Sequence, residues 1–147
     1  MKAPRWSAQM ETGQDAVDAG HRAMLTCLAE LERVPDSLLA PQLESLLAAA
    51  CATFDAEEAL IASLHLPHAA EHAAHHARLL DTLRQAIPFA RSGDMGTARE
   101  LLGLLPVWFN HHMMTMDAAL TMAARWLRAK ARFGSAPDGF MEMMQGA

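Results

Sequence analysis

An all-α fold, an antiparallel up-down-up-down four-helix bundle, is the architecture this 147-residue sequence predicts. Three observations carry that expectation. Apolar residues recur at three- and four-residue spacing almost throughout, and no segment alternates as a half-buried strand does. Helix-stopping residues, Pro35, Pro67, Pro88 and Gly93, divide the periodic stretches into pieces joined by short connections. The length suits one domain with a real core and is too short for two comfortable ones. The chain therefore reads as a single domain, its core at about 15–118 and an extension at about 118–147.

The elements follow in order. The first sixteen or so residues form an irregular arm with Pro4 and Gly13, and Trp6 is available to pack it onto the bundle. Asp18 is the expected N-cap of a first helix running to about Arg33, with Val17, His21, Met24, Leu25, Leu28 and Leu31 on one face. A second helix is expected from about Pro41, a good first-turn residue, to about His65. Its inward stripe is Leu46/Leu47, Ala50, Thr53/Phe54, Glu57, Leu60/Ile61 and Leu64. The third helix carries His72, His76, Leu79/Leu80 and Leu83 before Pro88 and Gly93 break it. The fourth begins near Thr97 and presents Leu101, Leu105, Trp108 and His112, with Pro106 kinking it or splitting off its first turns. From Asp117 to about Phe133 a further amphipathic stretch shows Leu120, Ala124, Leu127 and Phe133, and a Gly/Pro- and Met-rich tail follows. That stretch has enough apolar area to pack on the bundle, form a homodimer or dock a partner.

Composition narrows the function classes. Hydrophobic residues make up 52% of the chain, which excludes a disordered tail or charged scaffold. With 12 basic and 17 acidic residues, a formal charge of −5 and no basic stripe, nucleic acid is not an expected partner. Cys27 and Cys51 form no CxxC and no disulfide framework, which suits a reducing compartment. The N-terminus has no apolar signal-like region. The longest uncharged stretch, Leu101 to Met116, contains Asn110, His111 and His112 and makes a poor membrane span. The expectation is a soluble cytoplasmic protein with no membrane partner.

Seven positions fall at the spacing of a helical-bundle metal site, and six hold metal-binding side chains: His21, Glu57, His72, His76, His112 and Asp117. His72 and His76, four apart, lie about 40° apart around a helix and can grip one ion. Glu57 falls on an apolar stripe, where an unpaired carboxylate would cost several kcal/mol, roughly, and metal coordination relieves that cost. Glu58, one step around, is the ordinary exposed carboxylate. His112 and Asp117 are five apart, about 140° on a regular helix. If both bind one centre, the helix must bend, bulge or end between them.

Each residue alone has a blander reading. His21 on an apolar face is more commonly a hydrogen-bonded core histidine. His65, His68, His75 and His111 read as surface or boundary residues. Met113, Met114 and Met116, like Met141, Met143 and Met144, read as packing filler, and Cys27 and Cys51 as small buried apolar residues. What favours a metal site is four fragments on four helices, each on or near an inward face.

Together the fragments resemble the hemerythrin family, its bacterial single-domain branch in particular. That family's pattern has Asp-x-x-His, here Asp18-Ala19-Gly20-His21, then His-Phe-x-x-Glu-Glu, here Thr53-Phe54-Asp55-Ala56-Glu57-Glu58. It continues with Pro-x4-His-x3-His, met by Pro67, His72 and His76, and Trp-x3-His-x4-Asp, met by Trp108, His112 and Asp117. The resemblance spans roughly residues 6–118. It implies two iron ions with an oxo or hydroxo bridge, the first on His72, His76 and His112 and the second on His21. Glu57 and Asp117 would bridge them, and O2 would bind at the second iron.

The departure is Thr53, which stands where the family has a histidine and leaves the second position weak or empty. Water or a swung Glu58 would fill the vacancy. Three functions fit such a chain: O2 binding for storage, delivery or sensing; a di-iron enzyme acting on peroxide, O2 or nitric oxide; or a metal-binding interaction module. The first is favoured, because no Ser-His-Asp or Cys-His nucleophile arrangement is present.

Overall fold

The computed structural model describes residues 5–134. After a 3₁₀ turn, Ala8–Met10, come α1 (Asp15–Leu31), α2 (Asp36–Ser63), α3 (Ala69–Ser92), α4 (Met95–Leu102), α5 (Leu105–His112) and α6 (Ala118–Phe133). A π-helical turn, Met113–Asp117, joins α5 to α6, so these two form one interrupted rod. Among the described residues there is no strand, and the four rods α1, α2, α3 and α5–α6 make an all-α four-helix bundle.

Polar links between rods record the antiparallel order. Gln42 Nε2 donates to Glu30 Oε2 at 2.8 Å near one end of the α1–α2 pair, and His21 meets Glu57 near the other. Arg91 on α3 reaches Glu44 on α2 at 2.6 Å, while His76 reaches Glu58. Arg99 of α4 clasps Asp36 at 2.7 Å and the Val34 carbonyl at 2.8 Å, pinning the short helix across the α1–α2 connection. The apolar core, including Met24, Leu43, Phe54, Leu83, Leu105 and Phe109, fills this end of the bundle. The opposite end is where polar side chains are buried.

Helix boundaries differ from the sequence expectation at three points. Asp18 is not an N-cap: α1 starts at Asp15, and the Asp18 carboxylate turns back to accept from Thr12 N, Thr12 Oγ1 and Gly13 N at 2.8, 2.8 and 2.9 Å. The arm has donors to satisfy, and a first-turn carboxylate satisfies them while favouring the helix N-terminus. The second helix begins at Asp36, leaving Pro41 inside it, because Leu39 and Leu43 are both fully buried and hold that turn. The third runs through Pro88 to Ser92, since buried Ala86, Ile87 and Ala90 surround an outward-facing proline. It stops at Gly93, whose φ of 88° is cheap only without a Cβ.

Pro106 splits off the first turns of the fourth rod: α4 ends at Leu102 and Pro106 sits in the first turn of α5. In α6, Leu120 and Ala124 are buried and Leu127 half-buried, but Phe133 is 73% exposed, so the apolar stripe ends before it. Cys27 and Cys51 are free and only half-buried. Of the methionine-rich runs, Met113 is core, Met114 exposed and Met116 half-buried, while Met141, Met143 and Met144 lie outside the described residues. The arm packs by half-buried Trp6 and is tied to α6 by Arg125, which donates to the Ala8 and Glu11 carbonyls, and Arg128, which donates to that of Thr12.

Candidate metal centre

At the polar end, six side chains from four rods converge and almost nothing reaches solvent. His21, Glu57, His72, His76, His112 and Asp117 are all 5% exposed or less. They form two groups sharing Glu57: Glu57 with His72, His76 and His112, and Glu57 with His21 and Asp117. Within each group the donor atoms lie within 4.8 Å of one another.

Both carboxylates span the two groups. Glu57 turns Oε1 to His21 Nε2, and Oε2 to His76 Nε2 at 3.0 Å and His72 Nε2 at 3.3 Å. Asp117 turns Oδ2 to His21 Nε2 at 3.5 Å, and Oδ1 to His112 Nε2 at 3.1 Å and His72 Nε2 at 3.3 Å. The π turn makes this possible. A regular helix would swing Asp117 about 140° away from His112, and the wider turn brings both side chains inward.

These groups fit a metal ion better than they fit each other. Glu57 Oε2, His72 Nε2 and both Asp117 oxygens are buried without an aligned hydrogen-bond partner. Left so, each would carry a desolvation cost of about 1–3 kcal/mol. His76 Nε2 and His112 Nε2 face each other at 3.2 Å, where two lone pairs repel unless a proton or a cation lies between them. Nitrogen and carboxylate donors in this number suit a first-row divalent ion.

Surrounding residues fix the histidines. Glu58 accepts from His76 Nδ1–H at 2.9 Å, which leaves Nε2 free to face inward. Glu58 therefore stands on the His76 side and is not swung toward position 53. Phe54 stacks on the His76 ring at 3.8 Å and Trp108 on His112 at 4.7 Å, covering those two rings. The Trp6 ring lies 6.2 Å from that of His21, with the Arg22 guanidinium over the Trp6 ring at 4.6 Å. Trp108 lies one turn before His112 on α5, a spacing the sequence shows, whereas Phe54 of α2 meets His76 of α3 only through the packing of the two rods.

Thr53 is buried, but its hydroxyl donates to the Ala49 carbonyl of its own helix at 2.7 Å. It packs so tightly on α1 that a Cβ at Gly20 would lie 2.2 Å from Thr53 Oγ1. In the sequence, nothing but its place before His21 marks Gly20 as a close-approach point.

Burial and the two carboxylate charges pull the histidines in opposite directions. Burial favours neutral His72, yet the Asp117 and Glu57 carboxylates 3.3 Å from its Nε2 outweigh it and raise His72 to about 9. His21 is likewise raised: burial opposes, and the Glu57 hydrogen bond with the Glu57, Asp117 and Asp18 charges prevails. Glu57 is held well below the usual carboxylate range, burial being overcome by His21, His72 and His76. Asp117 is lowered too, by His112 and His72 against burial and the Glu57 charge. His75, His65, His68 and His111 lie outside the cluster, the first half-buried and the others exposed.

The comparisons with known proteins agree with this chemistry. A family profile described as "Hemerythrin HHE cation binding domain" matches residues 12–124. A Bacteriohemerythrin of Ralstonia nicotianae is 29% identical over 121 residues, covering 82% of this chain and 88% of that protein. No solved structure matches at a significant level. With clusters able to hold a metal and a profile that spans most of its length, the chain belongs to the hemerythrin HHE cation-binding family.

Proposed function

We propose that the protein is a non-haem di-iron protein that binds O2 for storage, delivery or sensing, with His21, Glu57, His72, His76, His112 and Asp117 as its metal ligands. The observation that carries this reading is that Glu57 and Asp117 each turn one oxygen to His21 and the other toward the His72/His76/His112 group. Carboxylates placed so are set to bridge two cations. The relative's printed name, Bacteriohemerythrin, supports the same reading.

The chain's residues divide the work. His72, His76 and His112 complete one position. His21 with one oxygen from each carboxylate makes the other, and Thr53, its hydroxyl bonded to Ala49, adds no donor there. The second ion is therefore bound more weakly than the first, because each lost ligand weakens a site directly. Bound iron would supply the redox-active centre for O2. Glu58 holds the His76 tautomer, and Phe54 and Trp108 cover the His76 and His112 rings. A cytoplasmic setting accords with two free cysteines.

Thr53 also favours a second reading, an enzyme that turns over peroxide, O2 or nitric oxide at the more open position. Iron per chain and the visible spectrum, before and after O2, test the first reading. One tight and one weak equivalent with an O2-dependent, reversible band are expected. Protein purified without iron and unable to take it up would sink both readings. Turnover of peroxide or nitric oxide with no reversible O2 band would select the second.

A further inference from the structure

A cavity of about 640 Å³ opens beside the polar cluster, between the end of α2, the turn into α3 and the start of α6. Its lining is mainly apolar, with Ile61, Leu66, Pro67, Met116, Leu120 and Met122 among its walls. That volume lies within the roughly 300–1,000 Å³ of pockets that enclose small organic molecules. His72, from the cluster itself, forms part of the wall. The polar lining residues His68 and Glu71 have side chains 61% and 63% exposed, which places them at the mouth.

The rim is unusual in its backbone. His65 and His68, at the two ends of the Leu66-Pro67 pair, both adopt positive φ, 52° and 63°. Non-glycine residues rarely take this conformation, and strain of this kind collects at binding sites. On the opposite wall the π turn brings Thr115 and Met116 to the cavity.

We propose that this cavity binds an uncharged, apolar organic molecule, a hydrocarbon or aromatic ring system, seated against His72. Charge selects the occupant. Among the described residues no lysine or arginine lines the cavity, so an anion finds no partner there and meets Glu71 at the mouth. A cation would have to leave water for walls that offer it no carboxylate beyond that exposed one. An apolar molecule loses nothing and removes the lining from water. Met116 and Met122 adapt to varied shapes. The cavity needs no metal to form, so this inference stands apart from the proposed iron chemistry and goes beyond it only in placing an organic ligand at a metal-site histidine.

The test uses the full chain and two probes that share a ring system: neutral N-phenyl-1-naphthylamine and its sulfonated relative 8-anilinonaphthalene-1-sulfonate. Saturable binding of the neutral probe at one per chain is expected, with the sulfonate at least about tenfold weaker. Ala119→Trp fills the cavity from an exposed lining position and should weaken the neutral probe at least about tenfold, with helical content and metal content unchanged. Met122→Glu, at a residue 46% exposed, is the second variant and should do the same. No saturable binding, equal affinity for both probes, or binding untouched by both variants would overturn the proposal. So would binding that tracks dimer formation in sedimentation, which would assign this face to a second copy. Metal content is read separately, so loss of the iron reading leaves this result interpretable.

Discussion

In the proposed two-metal reading, Thr53 and Gly20 decide how the second position would differ from the first. Thr53 lies one turn before Glu57 on the same buried stripe, so a longer donor there would point into the His21 group. Its hydroxyl is a weak neutral ligand and is already used by Ala49. Thr53→His supplies an imidazole nitrogen, and the second equivalent of metal should bind about tenfold more tightly, in line with the 10- to 100-fold effects seen even for outer ligand partners. The added ring volume meets the α1 backbone at Gly20, which Thr53 already touches closely. A stability cost of about 1–3 kcal/mol should accompany the gain. Metal titration and thermal melting of the same variant read both effects. If stoichiometry and the affinity of the second equivalent stay as in the parent chain, position 53 does not face the metals.

Proline shows what the sequence reveals about the elements and what it does not. Pro35 and Pro106 mark a helix start and a first turn, because a missing N–H costs nothing there. Pro41 and Pro88 lie inside helices, and the burial of their helix neighbours Leu39, Leu43, Ile87 and Ala90 against other rods overrides the local preference. Such long-range packing is invisible in a local pattern. The site was more legible than the helix ends: ligand spacing on each rod is a local property, whereas Asp18's grip on Thr12 and the Gly20–Thr53 contact depend on how segments meet. The His112–Asp117 spacing even called for a bulge, and the π turn supplies it. Pro88 gives the element-scale prediction. An interior proline costs about 3 kcal/mol, and its stiffening of the unfolded chain returns at most about 1 kcal/mol. Pro88→Ala, at an exposed site, should therefore stabilise the bundle by about 2 kcal/mol in urea unfolding. A destabilised variant would show that the ring packs productively.

For the whole molecule, the buried cluster links stability, pH and metal. The apolar core fills one end of the bundle, and the other end buries two carboxylates and four histidines that the helices hold within a few ångströms of each other. In chelator, protons on the histidines offset the two carboxylate charges. His72 is raised to about 9, and an unfolded histidine titrates near 6.5, so between these values the folded chain holds a proton the unfolded chain has released. Stability from this group is full below about pH 6.5 and is lost as pH rises through about 9, a change of roughly 3 kcal/mol at most. His21 acts in the same direction. Glu57 and Asp117, both lowered, stabilise above the usual carboxylate range and lose that contribution as the solution is acidified through their folded values. The metal-free protein should therefore melt highest between about pH 5 and 6.5, and progressively lower toward pH 9. Metal reverses the slope. A divalent ion must displace the His72 and His21 protons, so it binds more tightly as pH rises, and its stabilisation grows with that affinity. Melting temperatures at pH 6, 7.5 and 9, with chelator and with iron under nitrogen, would separate the two slopes. A chelated protein that grows more stable from pH 6.5 to 9 would mean that the cluster is not held together by protons, and that its carboxylates find another partner in the metal-free fold.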